Sequence, residues 1–298
     1  GGGCAGLSLI MHILSSSHLS NKRILLIEKE VKNKNDRTWC FWEKGNGFFE
    51  NIVHRKWNHA WFHAEGYSSL KELGPYAYKM IRGLDFYQYC YAAIEKSGRV
   101  DLIHEPVQEV KNENEHVSVK TVSRVVTGSY AFNSIMAEQP KYKEDDLVLL
   151  QHFKGWIIET PSAFFDTENA TLMDFRVNQD EGTTFVYVMP LSPTHALVEY
   201  TLFTPSLLSD EQYEQALKKY VADYLKLTEY NIKEKEFGII PMTNHRFSSG
   251  EGAIINIGTA GGQTKPSSGY TFRFIQKNVS AIVKLLEQGK HSQVKKSF

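Results

Sequence analysis

The first part of the chain contains three successive patterns: a glycine-rich segment, an amphipathic segment and a short apolar run. Apolar residues recur at helical spacing from Leu7 to Leu14, which predicts a helix over 7–19. The continuous apolar run 24–27 is typical of a strand buried in a parallel sheet, and Glu28 follows it. The chain is therefore predicted to begin as a turn, a helix and a strand.

The middle of the chain contains strand-like patterns. Residues 36–62 are rich in aromatic side chains without a clear period, and we expect a loop there. Residues 84–96 have helical spacing, and short β-branched runs between 100 and 135 predict strands and hairpins. Four stretches separated by turn residues predict an antiparallel sheet: 151–159, 171–177, 183–189 and 195–203.

The last third returns to an alternation of helix and strand. Ser209, with Gln212 three residues later, forms a capping box that predicts the start of a helix. Residues 253–257 form a second buried-strand pattern. A second glycine-rich turn follows it, and then a helix over 274–286.

Composition excludes several classes of protein. The 298 residues are 42% apolar and 23% charged, which is ordinary for a folded domain and excludes a disordered chain. Basic and acidic residues balance at 34 each, so nothing general attracts nucleic acid. No apolar run approaches the length of a membrane-spanning helix. The three cysteines have no metal or redox spacing, which favours free thiols in a reducing, cytoplasmic compartment.

The first glycine-rich turn has the spacing of a dinucleotide-binding motif, with glycines at Gly1, Gly3 and Gly6 before a helix. Such glycines permit a tight turn, close approach to a pyrophosphate and close packing of helix on strand. Glu28, at the end of the next strand, is placed to accept hydrogen bonds from a ribose. An ordinary glycine turn before a helix is the alternative. The strand that usually precedes this motif is missing, so we expect a chain cut at its N-terminus.

The second glycine-rich turn suggests that one extended ligand is bound from two sides. It spans 258–270, follows a buried strand and precedes a helix. FAD fits two such turns better than NAD does. The alternative is a flexible surface loop, against which Pro266 and the apolar flanks argue. The candidate cofactor residues of this turn are Gly258, Thr259, Gly261, Gly262, Pro266 and Gly269.

Taken together, these segments resemble the lycopene cyclases, flavoproteins of carotenoid biosynthesis, and look closest to the bacterial lycopene β-cyclases. The resemblance extends over nearly the whole chain. Thr259 stands where the wider flavoprotein pattern usually has Asp, and lycopene cyclases share that difference. The segments that carry the resemblance are 1–8, 36–42, 172–176, 185–203, 240–242 and 258–274. Family members usually continue beyond the equivalent of Phe298, so we expect the C-terminus to be cut as well.

The resemblance implies an α/β fold like that of flavoprotein monooxygenases. A Rossmann-like FAD-binding domain would be interrupted by a substrate domain built on an antiparallel sheet. The FAD-binding domain is predicted to comprise 1–45, 80–150 and 235–298, and the substrate domain 46–79 and 151–234. The implied reaction closes the linear ends of lycopene into β-ionone rings without net redox change, using reduced FAD and NADPH. Arg82 resembles an arginine that contacts the flavin in this fold. Whether one or both ends are cyclised, and whether β- or ε-rings form, stays open.

Ring closure begins with protonation of a carbon–carbon double bond, which needs an acid kept neutral in a dry site. Glu199 is the only charged residue of its apolar strand, and its place resembles the acidic motif of the family. A solvent-facing strand glutamate is the alternative. Asp174, two residues before Arg176, is the next candidate acid and a candidate pocket residue, although a structural ion pair would explain it equally well. Trp39, Phe41 and Trp42 are candidate aromatic walls for a carbocation, or ordinary core residues.

Other functions remain open from the sequence. A flavin-dependent monooxygenase or an isoprenoid reductase would have the same fold, and an FAD-binding remnant without catalysis would too. His59 and His63 are four residues apart, but no third ligand is evident, so we expect no metal site. Because lycopene is apolar and lies in the bilayer, the resemblance implies peripheral membrane association, with 48–62 as a candidate contact.

Overall fold

The structure is a computed structural model that describes residues 1–113, 116–136, 140–290 and 293–294. It contains α-helices and β-strands in an order close to the predicted one. The helices are α1 (Cys4–Ser15), α2 (Gly83–Ser97), α3 (Asp210–Tyr220) and α4 (Phe272–Glu287). A π-helical turn, Val221–Leu225, extends α3, and short 3₁₀ turns lie at Glu50–Ile52 and Gly258–Gly261.

Eighteen strands are found in the described part of the chain. Those of the first half are β1 (Ile24–Ile27), β2 (Thr38–Glu43), β3 (Arg55–Trp57), β4 (His59–Ala64), β5 (Tyr67–Glu72), β6 (Ala77–Arg82), β7 (Val100–Ile103), β8 (Val107–Asn112) and β9 (Val117–Thr121). Those of the second half are β10 (Val125–Gly128), β11 (Ala131–Asn133), β12 (Val148–Glu159), β13 (Asn169–Asp174), β14 (Thr183–Ser192), β15 (His195–Thr204), β16 (Asn231–Thr243), β17 (Gly250–Glu251) and β18 (Ile254–Asn256).

The largest sheet has seven strands in the order β16-β12-β15-β14-β13-β4-β5. Its four central strands are the four that the sequence predicts, and they pair antiparallel. The other three strands come from elsewhere in the chain. β16 pairs with β12 as far as Thr243, whereas β4 pairs parallel with β13 and antiparallel with β5. The prediction of a loop over 36–62 was wrong, because β2, β3 and β4 occupy much of it.

The two faces of this sheet bury different cores. One face carries Trp156, Val198 and Leu202, which pack with Tyr213 and Leu217 of α3. The capping box of α3 is present, since Ser209 accepts from the Gln212 backbone and Gln212 accepts in return. The opposite face packs on the three-stranded sheet β2-β6-β3, where it buries Tyr78, Met80, Phe185, Tyr187, Met189 and Leu197.

The N-terminal α/β part has the predicted turn, helix and strand. α1 packs on α4 and α2, and β1 pairs parallel with β7 while β11 pairs parallel with β18. Within the described residues these two strand pairs do not join. A cavity of about 1060 Å³ lies between them, lined by apolar residues that include Ile10, Leu25 and Phe132. Among the described residues, no helix is both long and apolar enough to cross a bilayer.

Candidate functional site

The first glycine turn is closed tightly against the start of α1. A Cβ at Gly6 would overlap the carbonyl oxygen of Gly1, so only glycine fits there. Gly3 precedes the helix, and a Cβ added to it would meet nothing within 4 Å. Glu28 lies against the same turn, where its Oε2 accepts from the backbone N–H of Gly2 at 2.5 Å. The structure thus brings Gly1, Gly3, Gly6 and Glu28 together.

The second glycine turn meets the first. Gly258 has a φ of +65°, and a Cβ there would lie 2.9 Å from the Cβ of Ala5 in the first turn of α1. Its N–H donates to Oε1 of Gln263, which closes the turn. The candidate residues Thr259 and Gly261 lie in the 3₁₀ turn, Gly262 follows it at a φ of +71°, and Pro266 and Gly269 lie in the next turn.

The residues around these turns fit a bound dinucleotide. The N-terminus of α1 provides backbone N–H groups and a positive dipole beside the open space at Gly3. The second turn holds two buried polar atoms without a hydrogen-bond partner among the described residues, Nε2 of Gln263 and Oγ of Ser268. Buried polar atoms are normally paired, so unpaired ones beside such a turn are what a polar ligand would satisfy.

Glu199 lies on the face of the large sheet that packs on β2-β6-β3, and only 9% of it is exposed. Thr201, two residues on along β15, donates to its Oε1 at 3.0 Å. Burial raises the pKa of Glu199 well above its ordinary value, and the charge of Glu236 raises it further. Glu199 is therefore a buried carboxyl group whose neutral, proton-bearing form is favoured, unlike that of a solvent-facing strand glutamate.

Glu236 is the second carboxylate of this site. It lies on β16, where it pairs with Gly155 of β12, and Gly155 in turn pairs with Glu199 of β15. Thr38 of β2 donates to its Oε2 at 3.1 Å. Burial raises the pKa of Glu236, whereas the neighbouring Glu199 carboxyl group and the Thr38 hydroxyl act to lower it. The two carboxyl groups therefore come from the strands on either side of β12 and flank its Gly155.

Aromatic side chains adjoin this carboxyl pair, but they are mostly not the predicted ones. Tyr187 pairs with Glu199 on the neighbouring strand. Tyr270 accepts from the indole N–H of Trp42 and donates to the hydroxyl of Tyr78, each at 3.3 Å. Burial raises the pKa of Tyr187 well above its ordinary value, with Tyr270 and Glu199 contributing, so this hydroxyl stays protonated.

The three predicted wall residues point to different places. Trp42 packs on the core that contains Tyr187, on the same side of β2 as Thr38 and Cys40. Trp39 and Phe41 alternate to the other side and pack in the α/β core, where Phe41 stacks on Phe272. Of the three, only Trp42 is placed with Glu199.

Asp174 lies on the other face of the large sheet from Glu199. It is fully buried and forms a two-pronged ion pair with Arg176, at 2.8 and 2.6 Å, and it accepts from Tyr220 of α3 at 2.9 Å. Burial acts to raise the pKa of Asp174, but these hydrogen bonds outweigh it and hold the pKa below its ordinary value. The geometry is that of a structural ion pair.

Two further candidates are placed by local contacts. Arg82 lies at the start of α2 and forms a bidentate ion pair with Asp85 at 2.8 and 2.9 Å. His59 and His63 lie on strand β4 rather than on a helix, and Nδ1 of His63 bonds Ser68. No group of three or more potential metal ligands occurs among the described residues.

Comparison with protein families identifies the chain. The family model described as lycopene cyclase protein matches residues 1–297. The chain belongs to the lycopene cyclase family. A comparison with curated proteins gave no significant match.

Solved structures similar to this lycopene cyclase family member share its fold. A geranylgeranyl bacteriochlorophyll reductase-like protein from Thermoplasma acidophilum is 12% identical, with a TM-score of 0.70 over 99% of this chain and 78% of the other. p-Nitrophenol 4-monooxygenase from Pseudomonas putida is 12% identical, with a TM-score of 0.71 over 100% and 81%. Klebsiella pneumoniae HpxO, solved with FAD and uric acid, is 14% identical, with a TM-score of 0.66 over 97% and 78%. The fold is that of the flavoprotein monooxygenases.

In this lycopene cyclase family member, sequence reasoning missed Glu236 and Gly155. Glu236 ends a run of alternating charges, 233–236, which looks like a solvated strand. The alternation of side chains along β16 is the one signal that could have found it. Glu234, Glu236 and Gly238 lie on one side of the strand, whereas Lys235 lies on the other and forms an ion pair with Glu214 of α3. Only the strand pairing shows that the first side is turned toward Glu199.

Proposed function

We propose that the protein is a lycopene β-cyclase. It closes the linear ends of lycopene into β-ionone rings, giving β-carotene by way of γ-carotene, as an isomerisation without net redox change. It uses reduced FAD, with NADPH as the reductant. The observation that carries the proposal is Glu199, a buried and neutral acid among aromatic side chains on the inner face of the substrate sheet.

The residues of this chain supply the proton and a place for the positive charge. Glu199 holds its proton because its burial disfavours the carboxylate, and Thr201 fixes one of its oxygens. Protonation of the substrate leaves a carbocation, and an aromatic face stabilises a desolvated cation by ~2 kcal/mol. Tyr187, Tyr270 and Trp42 offer such faces. Bound reduced FAD would add negative charge that stabilises the cation electrostatically.

The two glycine turns are proposed to hold the FAD. Gly1, Gly3 and Gly6 with the start of α1 would bind its pyrophosphate, and Glu28 its ribose, once the Gly2 N–H releases it. Gln263 and Ser268 would satisfy their unpaired atoms on it. Because the substrate lies in the bilayer, we propose peripheral association with the cytoplasmic membrane surface.

The test is cyclisation itself. The protein is supplied with lycopene in vesicles, FAD and NADPH, and the pigments are separated. Glu199→Gln keeps size and polarity but has no proton to give, so we expect the rate to fall roughly 10²–10⁴-fold while FAD binding is unchanged. In D₂O the wild-type protein should place one deuterium in each new ring.

Two outcomes would contradict the proposal, and a third would contradict the assignment of Glu199 as the acid. If FAD-loaded wild-type protein gives no cyclic product, or if NADPH is consumed in proportion to product, a monooxygenase or reductase of the same fold is the better account. If Glu199→Gln cyclises lycopene at a near wild-type rate, the acid lies elsewhere. Glu236 is then the next residue to test, since Asp174 lies across the sheet.

A further inference from the structure

The two carboxyl groups of the site lie in one row across three adjacent strands. Glu236 of β16 pairs with Gly155 of β12, and Gly155 pairs with Glu199 of β15. Residues directly paired in neighbouring antiparallel strands project to the same face of the sheet. The side chains of Glu199 and Glu236 are therefore on one face, separated by a position that has no side chain.

The absence of a side chain at Gly155 is required by the position of Glu236. A Cβ added there would lie 2.9 Å from Cγ of Glu236, 3.0 Å from its Oε1 and 3.0 Å from Cδ1 of Leu197. The φ of Gly155 is not in the left-handed region, so backbone strain does not demand glycine. What glycine provides here is room for Glu236 to lean over the middle strand toward Glu199.

The oxygens of Glu236 have different surroundings. Oε2 accepts from Thr38, whereas Oε1, on the Gly155 side, is buried without a hydrogen bond of ordinary geometry among the described residues. Leaving a buried carboxylate oxygen without a donor is energetically unfavourable. The protonated carboxyl group of Glu199 is the donor best placed to satisfy it.

We propose that Glu236 is a positioning residue that shares one proton with Glu199 across the gap at Gly155 and thereby keeps Glu199 ready as the acid. This inference rests on the proposed function and adds to it a second carboxylate that does not itself touch the substrate. Two carboxyl groups so close resist ionising together at equilibrium, so the resting pair carries one proton and one negative charge.

The pair also accounts for the return of the proton. Glu199 gives its proton to a terminal double-bond carbon of the substrate, whose π electrons form the new C–H bond. The next double bond attacks the cation and forms the ring C–C bond. The pair is now doubly ionised, and it takes a proton from the ring cation, whose C–H electrons become the ring double bond. One proton leaves and one returns, so the reaction stays balanced without a redox step.

The other groups that face the pair do not compete for this proton at neutral pH. Around Glu199 they are Cys40 of β2 and Tyr187 of β14, and burial raises the pKa of both above their ordinary values. Around Glu236 the charged groups are Glu234 on the same strand, which raises the pKa of Glu236, and Arg37, which lowers it. Tyr78 and Tyr270, behind Cys40, also remain protonated because burial raises their pKa.

The first test measures the pair without substrate. Free energies of unfolding are measured from about pH 5 to about pH 8 for the wild type, Glu199→Gln, Glu236→Gln and the double variant. A raised pKa in the folded state means that stability falls as pH rises toward that pKa, so Glu199→Gln should stabilise progressively over this window. At about pH 8, adding Glu199→Gln to the wild type should lower the unfolding equilibrium constant. The factor should be at least about tenfold smaller when Glu199→Gln is added to Glu236→Gln.

Controls separate the pair from a general effect of charge. Glu234→Gln, on the same strand and side, removes a charge that acts on Glu236 but not on Glu199, and should change the effect of Glu199→Gln far less than Glu236→Gln does. Gly155→Ala keeps both carboxyl groups but pushes Glu236 aside, and should reduce the coupling as Glu236→Gln does. Gly128→Ala, where the nearest atom is Tyr130 O at 3.5 Å, is its matched control. Additivity of Glu199→Gln and Glu236→Gln within about twofold at every pH would overturn the proposal.

The second test uses the reaction. In Glu236→Gln, the pH above which cyclisation is lost should move down by about one unit or more, because Glu199 then ionises more readily. A rate reduced equally at every pH would indicate a structural role and contradict the inference. If the wild type does not cyclise lycopene at all, the proposed function fails, but the unfolding cycle still decides whether the two carboxyl groups share a proton.

Discussion

Gly3 and Gly6 of the first turn are constrained for different reasons, and substitution should separate them. A Cβ at Gly6 would overlap the carbonyl oxygen of Gly1, whereas a Cβ at Gly3 meets nothing within 4 Å. We expect Gly6→Ala to destabilise the FAD-free protein by about 1–3 kcal/mol, as overpacking does, and Gly3→Ala to leave its stability nearly unchanged. Denaturant unfolding without FAD measures both.

FAD titration completes the comparison. If the open space at Gly3 receives the pyrophosphate, Gly3→Ala should weaken FAD binding at least about tenfold despite its normal stability. A Gly3→Ala protein that binds FAD as tightly as the wild type would mean that the phosphates do not approach this glycine.

Individual residues were predictable where one motif fixes their surroundings. Glu28, predicted from the motif spacing to contact a ribose, lies against the glycine turn, where it accepts from the Gly2 N–H. Trp39 and Trp42 could not be sorted, because β2 has large apolar side chains on both sides and both sides are covered. Glu236 could not be found because its partner lies 37 residues away along the chain and two strands away in the sheet.

At the scale of elements, the ion pair of Asp174 and Arg176 joins β13 to α3 through Tyr220. Removing the carboxylate leaves Arg176, about a third exposed, without its partner. We therefore expect Asp174→Asn to destabilise the protein by about 2–3 kcal/mol, toward the lower end for a buried pair. Asp223→Asn, which removes the exposed pair with Lys219, is the matched control and should change stability little.

Activity per folded molecule distinguishes the two readings of Asp174. Because it lies on the opposite face from Glu199, Asp174→Asn protein that remains folded should cyclise lycopene at a near wild-type rate. A loss of activity comparable to that of Glu199→Gln, with FAD binding intact, would place Asp174 in the chemistry after all.

Elements were predicted well where one pattern dominates the sequence. The capping box marked α3, and the four central strands alternate with turns. The sequence predicts a loop over the region of β2 to β4 because apolar side chains on both faces remove the period that identifies a strand. Periodicity also carries no information about which strands pair. It could therefore not predict that β4 pairs parallel with β13, which lies more than 100 residues away in the sequence.

At the scale of the whole molecule, FAD should act as part of the folded structure. The proposed site joins α1 and Glu28 to the second glycine turn, which lies more than 200 residues further along the chain. A ligand that binds only the folded state stabilises it by mass action, by about 2.7 kcal/mol at ~100 times the dissociation constant. We expect the unfolding midpoint to rise with FAD concentration accordingly. A midpoint that does not move at saturating FAD would show that the folded chain does not bind it.

Cys4 and Cys90 are buried and Cys40 is half-buried, which makes the thiols of the folded molecule unreactive. Burial raises the pKa of Cys4 to about 12, and it raises those of Cys40 and Cys90 as well, so none presents a thiolate at neutral pH. Alkylating reagents attack only the thiolate, and oxidants react with it preferentially. The rate of thiol modification therefore measures local opening of the fold. Cys4 and Cys90 report on the core around α1 and α2, and Cys40 reports on the β2-β6-β3 sheet that covers Glu199.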